Sequence, residues 1–262
     1  MVGRIGRWLI NKADYFSGVI SLTVYSFLEL AKYHPPNQKL LLYQNTIKQI
    51  FFTSVQALKS VITVSMLISI ATVSITFIQF PEIVPKDTIA DIFVKVIFRE
   101  IMPLMLMIIV IARSVSAITV EIGNMTVNRE FDILVSIGID PLFYLLLPRL
   151  LGMIISLLIL FVFASFTILV LGPMALLLFY EINFAEITNL IFSKVSVGDF
   201  ALLFTKFIIV GAIIPSVASY HGFKTPTINF VPVSATKSIM ASLSFSIVTS
   251  LALSILFYIF VF

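Results

Sequence analysis

Apolar positions along this chain come in long unbroken runs rather than at the spacing of an amphipathic strand or a surface helix. Ser60–Phe80 is 21 residues without a charge, closed by Pro81. Leu150–Tyr180 is 31 such residues, and Ser238–Phe262 is 25. Two further runs are each interrupted once: Ile101–Ala112 and Ser114–Val120 flank Arg113, and Ala201–Thr205 and Phe207–Tyr220 flank Lys206. An uncharged run of about 20 residues crosses the hydrocarbon as a helix, because only then is every backbone group bonded within the segment. In windows of about 19 residues the chain predicts five spans, at 58–80, 96–119, 146–175, 199–220 and 236–260. The fold class is all-α and polytopic.

The first 50 residues behave differently. Tyr15–Leu28 is uncharged for only 14 residues, short for a span. Before it, Arg4 and Arg7 alternate with Ile5, Trp8, Leu9 and Ile10, the pattern of an amphipathic helix lying in the headgroup plane. A cleaved signal peptide is the competing reading, but Glu29, Leu30, Ala31 and Lys32 follow the apolar run in place of a small-residue cleavage site. His34-Pro35-Pro36-Asn37 then breaks the helix. The expected organisation is an interfacial helix over 1–45 and one transmembrane domain over 46–262.

Composition agrees with the runs. Hydrophobic residues make up 60% of the 262 and charged residues 11%, too few charges to cover a water-facing surface. That excludes an ordinary soluble enzyme and a nucleic-acid-binding domain, although the net charge is +4. With the N-terminus inside, the cytoplasmic segments hold seven, three and two basic residues, twelve in all, against five on the other side (Lys86, Lys95, Arg99, Lys194 and Lys206). The bias predicts a cytoplasmic N-terminus and an outer C-terminus. Signals for chemistry on this chain are sparse. It has no cysteine, and His34 and His221 stand without partners at metal-ligand spacing. No nucleophile elbow and no phosphate-binding G-x-x-x-x-G-K-[ST] loop occurs. The expectation is no catalytic residue, no metal and no cofactor on this chain.

The connection between the second and third predicted spans carries the most information. Glu121, Asn124, Asn128 and Asp132 fall on one helical face, and Met125, Phe131, Leu134 and Val135 on a broad apolar one. Gly138 suits a helix C-terminus, and Asp140-Pro141 suits the cap and first position of the next helix. The pattern predicts one short amphipathic helix over about 121–137. It leaves open whether that helix is merely solvated or docks a partner. Arg99, Glu100 and Lys206 fall inside or near spans, where ionisable groups face a cavity or one another. Snorkelling to the interface is the alternative reading for them.

The ordered run Arg99-Glu100, Arg113, Glu121-Ile122-Gly123-x-Met125, Glu130-x-Asp132, Gly138-Ile139-Asp140-Pro141, Tyr144-Leu145 and Pro148-Arg149 resembles the MlaE (YrbE) family. These are permeases of ABC transporters that work with MCE-domain lipid-binding proteins. The resemblance covers about 45–262. It implies a homodimer, two cytoplasmic ATPase subunits that hold the ATP and Mg, an outer MCE assembly, and phospholipid or a related hydrophobic substrate. It implies that 121–137 is a coupling helix, with Glu121, Gly123, Met125, Arg129, Glu130, Asp132, Gly138 and Asp140 contacting the ATPase or shaping that contact. Arg99, Glu100 and Lys206 would lie by a lipid cavity lined by the first, second and fifth spans. The implied home is a bacterial inner membrane, ahead of a chloroplast inner envelope. The C-terminal part departs from the family pattern: a Gly-rich stretch is missing, and Ser250 stands near an expected Asp. From the residues alone, Glu100 is expected to face Lys206. An ion-coupled secondary transporter using that pair, or a structural subunit without a substrate, are the other functions considered.

Overall fold

In the computed structural model the backbone is described for residues 2–32, 36–75, 85–177 and 183–261. These form eight helices and no strand among the described residues: α1 (Val2–Ala31), α2 (Gln38–Val73), α3 (Asp87–Val127), α4 (Glu130–Ser136), α5 (Leu142–Met174), α6 (Phe184–Lys194), α7 (Val197–Phe223) and α8 (Ile228–Ile259). Five of them, α2, α3, α5, α7 and α8, are long and apolar enough to cross a membrane, matching the predicted number and order. Each is longer than its charge-free core. The breaks expected at His34-Pro35 and at Pro81 lie outside the described residues, as do the side chains of the N-terminal basic residues.

α3, α5 and α7 form the centre. Their apolar stretches are 56%, 50% and 61% buried, against 22% for α2 and for α8. The outer pair therefore presents apolar surface to its surroundings, as a helix in lipid does. Close approach relies on small residues. A methyl group at Gly172 would meet Ser69 Oγ of α2, whose hydroxyl donates to the Ile168 carbonyl at 2.8 Å. α8 carries Ser234, Ser238, Ser242, Ser246, Ser250 and Ser254, one every fourth residue. From Ser238 onward all are buried, against α3 and α7.

α1 is one helix that begins well before Tyr15 and ends at Ala31, three residues past Leu28. Its Tyr15 packs edge-on against Tyr220 of α7, with centroids 4.9 Å apart, and its hydroxyl lies 3.2 Å from His221 Nε2. Burial, with Tyr220 adding to it, pushes the Tyr15 phenol up to about 12, so it stays a neutral hydroxyl. The helix that begins α2 crosses residues 45 and 46 without interruption.

The expected helix over 121–137 is in fact two. α3 continues to Val127, so Glu121, Gly123 and Met125 belong to the end of a span. Arg129 then takes the left-handed conformation (φ 58°) and α4 starts at Glu130. Nothing local announces that break, because the left-handed residue is an arginine rather than a glycine. The downstream punctuation is as predicted. Gly138 has φ 78°, with Ile139 N–H bonded to the Leu134 carbonyl and Gly138 N–H to Val135, the pairing of a Schellman stop. Asp140 Oδ1 caps α5 by accepting from Leu142 N–H at 2.8 Å.

Candidate functional site

At the end of the bundle away from α4, four charged side chains meet inside apolar walls. Arg99 and Glu100 lie in a stretch of α3, Phe93–Ile101, that is wound as a π-helix, a loosening frequent at functional sites. Two residues later Pro103 brings no N–H to the Arg99 carbonyl four positions back. Lys206 of α7 fills that acceptor, its ammonium donating to the Arg99 carbonyl at 2.9 Å and to Glu100 Oε2 at 3.1 Å. Lys206 is fully buried. An ammonium so placed survives in its charged form only when paired. The expectation that Glu100 faces Lys206 is met by this geometry, and the snorkelling alternative is not.

Adjacent residues on a helix diverge by about 100°, and Arg99 accordingly has other company. Its guanidinium ion-pairs with Asp199, a residue with no exposed surface, and sits 5.9 Å from the Tyr258 ring of α8. Sequence reasoning missed Asp199. Its signal is Ser196-Val-Gly-Asp199, a capping box in which Ser196 N–H donates to Asp199 Oδ2 at 2.8 Å. Asp199 caps α7 with one oxygen and holds Arg99 with the other. The last span contributes Ser254, whose hydroxyl donates to Glu100 Oε2 at 2.9 Å. Ser250, one turn earlier, is buried with its hydroxyl unpartnered. The cluster holds two cations and two anions and is balanced. One oxygen remains: Glu100 Oε1 is buried without a hydrogen-bond partner.

The opposite end is arranged otherwise. None of the α4 residues is buried, and Ile133, Val135 and Ile137 are 59%, 62% and 64% exposed. The apolar face expected from the sequence is split: Phe131 turns inward onto Phe223, with centroids 5.0 Å apart, whereas Val135 points out. Arg129 and Asp132 are exposed, and Asn128 donates to Glu130 across the turn at 3.3 Å. Gly123 is buried, and a methyl there would press on Thr225. It packs α3 against the connection to α8 rather than facing outward. Glu121 pairs with Arg149 at the start of α5, at 2.7 Å.

The profile of the family described as Permease MlaE matches residues 46–256. The chain belongs to this family. It is a multi-pass membrane permease. Among curated relatives, the permease is 28% identical over 153 residues to a probable ABC transporter permease protein of Rickettsia prowazekii, an overlap of 58% of this chain and 56% of that one. A probable ABC transporter permease protein of Rickettsia typhi is 28% identical over 152 residues, 56% of this chain and 57% of that one. The protein trigalactosyldiacylglycerol 1, chloroplastic, of Arabidopsis thaliana is 28% identical over 116 residues, 44% of this chain and 33% of that one. The permease thus spans about half the length of the bacterial relatives and a third of the plant one.

Proposed function

We propose that this chain is the membrane subunit of an ABC transporter that moves phospholipid or a related hydrophobic molecule between the membrane and an MCE-domain protein. A separate ATPase subunit drives it, and two copies of the chain enclose the lipid path. The observation that carries this reading is the buried cluster with its unfilled acceptor, Glu100 Oε1. A headgroup hydroxyl or ammonium supplies the missing donor while apolar helices take the acyl chains. The wide exposed faces of α2 and α8 suit a lipid-filled space between protomers. One relative is named for trigalactosyldiacylglycerol and others as probable ABC transporter permeases. In this reading α4 is the coupling element, its exposed Ile133, Val135 and Ile137 seated in the ATPase. ATP then changes lipid affinity only by binding the two cavity states unequally.

The test is transport between vesicles containing the reconstituted complex and a soluble MCE acceptor. Glu100→Ala leaves Lys206 uncompensated and lowers transport; Glu100→Ala with Lys206→Ala recovers part of the loss. Strict additivity of the two changes removes the cluster from the mechanism. Transport that persists without ATPase and collapses with an ion gradient replaces this reading with ion-coupled exchange through Glu100 and Lys206. A reporter fused after Phe262 is expected to be active only outside the cytoplasm; cytoplasmic activity reverses the proposed orientation.

A further inference from the structure

A second polar recess lies at the α4 end, far from the buried cluster in the bundle. It encloses about 260 Å³ between the polar start of α2 (Asn45, Lys48 and Gln49), Glu121 of α3, and Tyr144 and Arg149 of α5. A neighbouring recess of about 360 Å³ shares Gln49 and Glu121 with it and adds Arg113. The two members of the Glu121–Arg149 pair differ sharply. The Arg149 side chain is only 6% exposed, whereas that of Glu121 is 59% exposed. Arg149 gives one guanidinium nitrogen, Nη2, to Glu121, and its Nη1 is buried with no hydrogen-bond partner. A buried charged donor left unmatched is costly. The cation is thus fixed in the protein, and its counter-ion is free to swing into water. Lys48, exposed at the rim, adds a second positive charge, so the recess carries two cations against one carboxylate. A guanidinium fork matches two oxygens of a phosphate, and the Tyr144, Asn45 and Gln49 side chains offer further donors.

We propose that this recess binds a phosphate group, presented by a lipid headgroup of the leaflet on the α4 side. The phosphate fills Arg149 Nη1 and bridges to Lys48, while Glu121 turns outward. This site is separate from the Arg99–Glu100–Lys206 cluster and does not depend on the transport reading.

The test is thermal unfolding of the full-length permease in detergent, titrated with dihexanoyl phosphatidic acid, with dihexanoylglycerol and with sodium phosphate. Phosphatidic acid is expected to raise the melting temperature and dihexanoylglycerol to leave it unchanged. Lys48→Gln should weaken the half-saturation by about threefold to tenfold, the range expected for one partly exposed charge. Glu121→Gln should tighten it by a similar factor, because it removes the competing carboxylate; a purely structural ion pair predicts no such gain. Lys59→Gln, an exposed lysine of α2 outside both recesses, should titrate as the parent. Sodium phosphate acting at the same concentration as phosphatidic acid overturns the lipid source. No response to phosphatidic acid, or titrations of Lys48→Gln and Glu121→Gln that both match the parent, overturns the site.

Discussion

The two ends of this bundle solve opposite problems. At one end Arg99, Glu100, Asp199 and Lys206 are drawn into the protein and matched within it, cation to anion, with Ser254 and a backbone carbonyl taking the remaining bonds. At the other, α4 has no fully buried residue and, with Ile137 just past its end, holds three large aliphatic side chains in the open. The first end is closed chemically apart from one oxygen, whereas the second is incomplete until something covers it. Charge burial therefore marks the place where substitutions disturb the fold, and apolar exposure marks the place where they disturb association.

Substitutions sharpen or break that contrast. The largest effect is expected for Asp199→Asn, which leaves the Arg99 guanidinium buried and unpaired. Removing one partner of a buried pair costs about 3–5 kcal/mol, read as a fall in melting temperature of the purified permease; a fall no greater than that of an exposed variant dissolves the cluster as a structural unit. Next comes the Glu100–Lys206 pair. A double-mutant cycle on stability should give a coupling of about 1–3 kcal/mol, less than at Asp199 because Glu100 is partly exposed. Gly138→Ala should cost about 1 kcal/mol, since it forces a Cβ into the left-handed region; no cost there means the α4 stop is not held in the free protein. The smallest effects on stability are expected at α4. Ile133→Asp and Asp132→Lys should each stay within about 0.5 kcal/mol of the parent. Both should nevertheless weaken co-purification of the ATPase and its turnover, which a like charge or a buried carboxylate at an interface does strongly. Unchanged co-purification in both removes α4 from the docking surface.

The sequence disclosed features whose chemistry is local. Charge-free runs specify five spans because lipid imposes that requirement on every one of them. Gly138, Asp140 and Pro141 disclose a stop and a restart because each acts through its own backbone. Glu100 facing Lys206 was legible because an ammonium inside a span needs an anion and few are available. What stayed hidden depends on distant partners or on a residue type that gives no signal. Asp199 reads as a helix cap, and its second use emerges only when α3 lies beside α7. Arg149 is 28 positions from Glu121, and nothing in either span hints at the pairing. The turn at Asn128-Arg129 is flanked by packing of Phe131 on Phe223 and of Gly123 beside Thr225, contacts between distant residues that the sequence does not display.

The serines of α8 have a mechanical meaning. A stripe that repeats every four residues looks the same after the helix slides by one repeat, roughly 6 Å along its axis, and turns by about 40°. Between Ser242 and Ser250 the stripe offers neighbouring helices only hydroxymethyl groups, and none of these three hydroxyls is bonded. Along that stretch the stripe supplies no polar bond that fixes the helix, which is left to the apolar contacts of Leu243 and Phe245 beside it. The stops are at the two extremities. At one, Ser234 and Ser238 bond to Thr225 and Thr119 at 3.0 and 2.7 Å; at the other, Ser254 bonds to Glu100. The polar pins of α8 thus sit at its two extremities, and releasing the Glu100 pin leaves Tyr258 over Arg99 and apolar packing to hold that end.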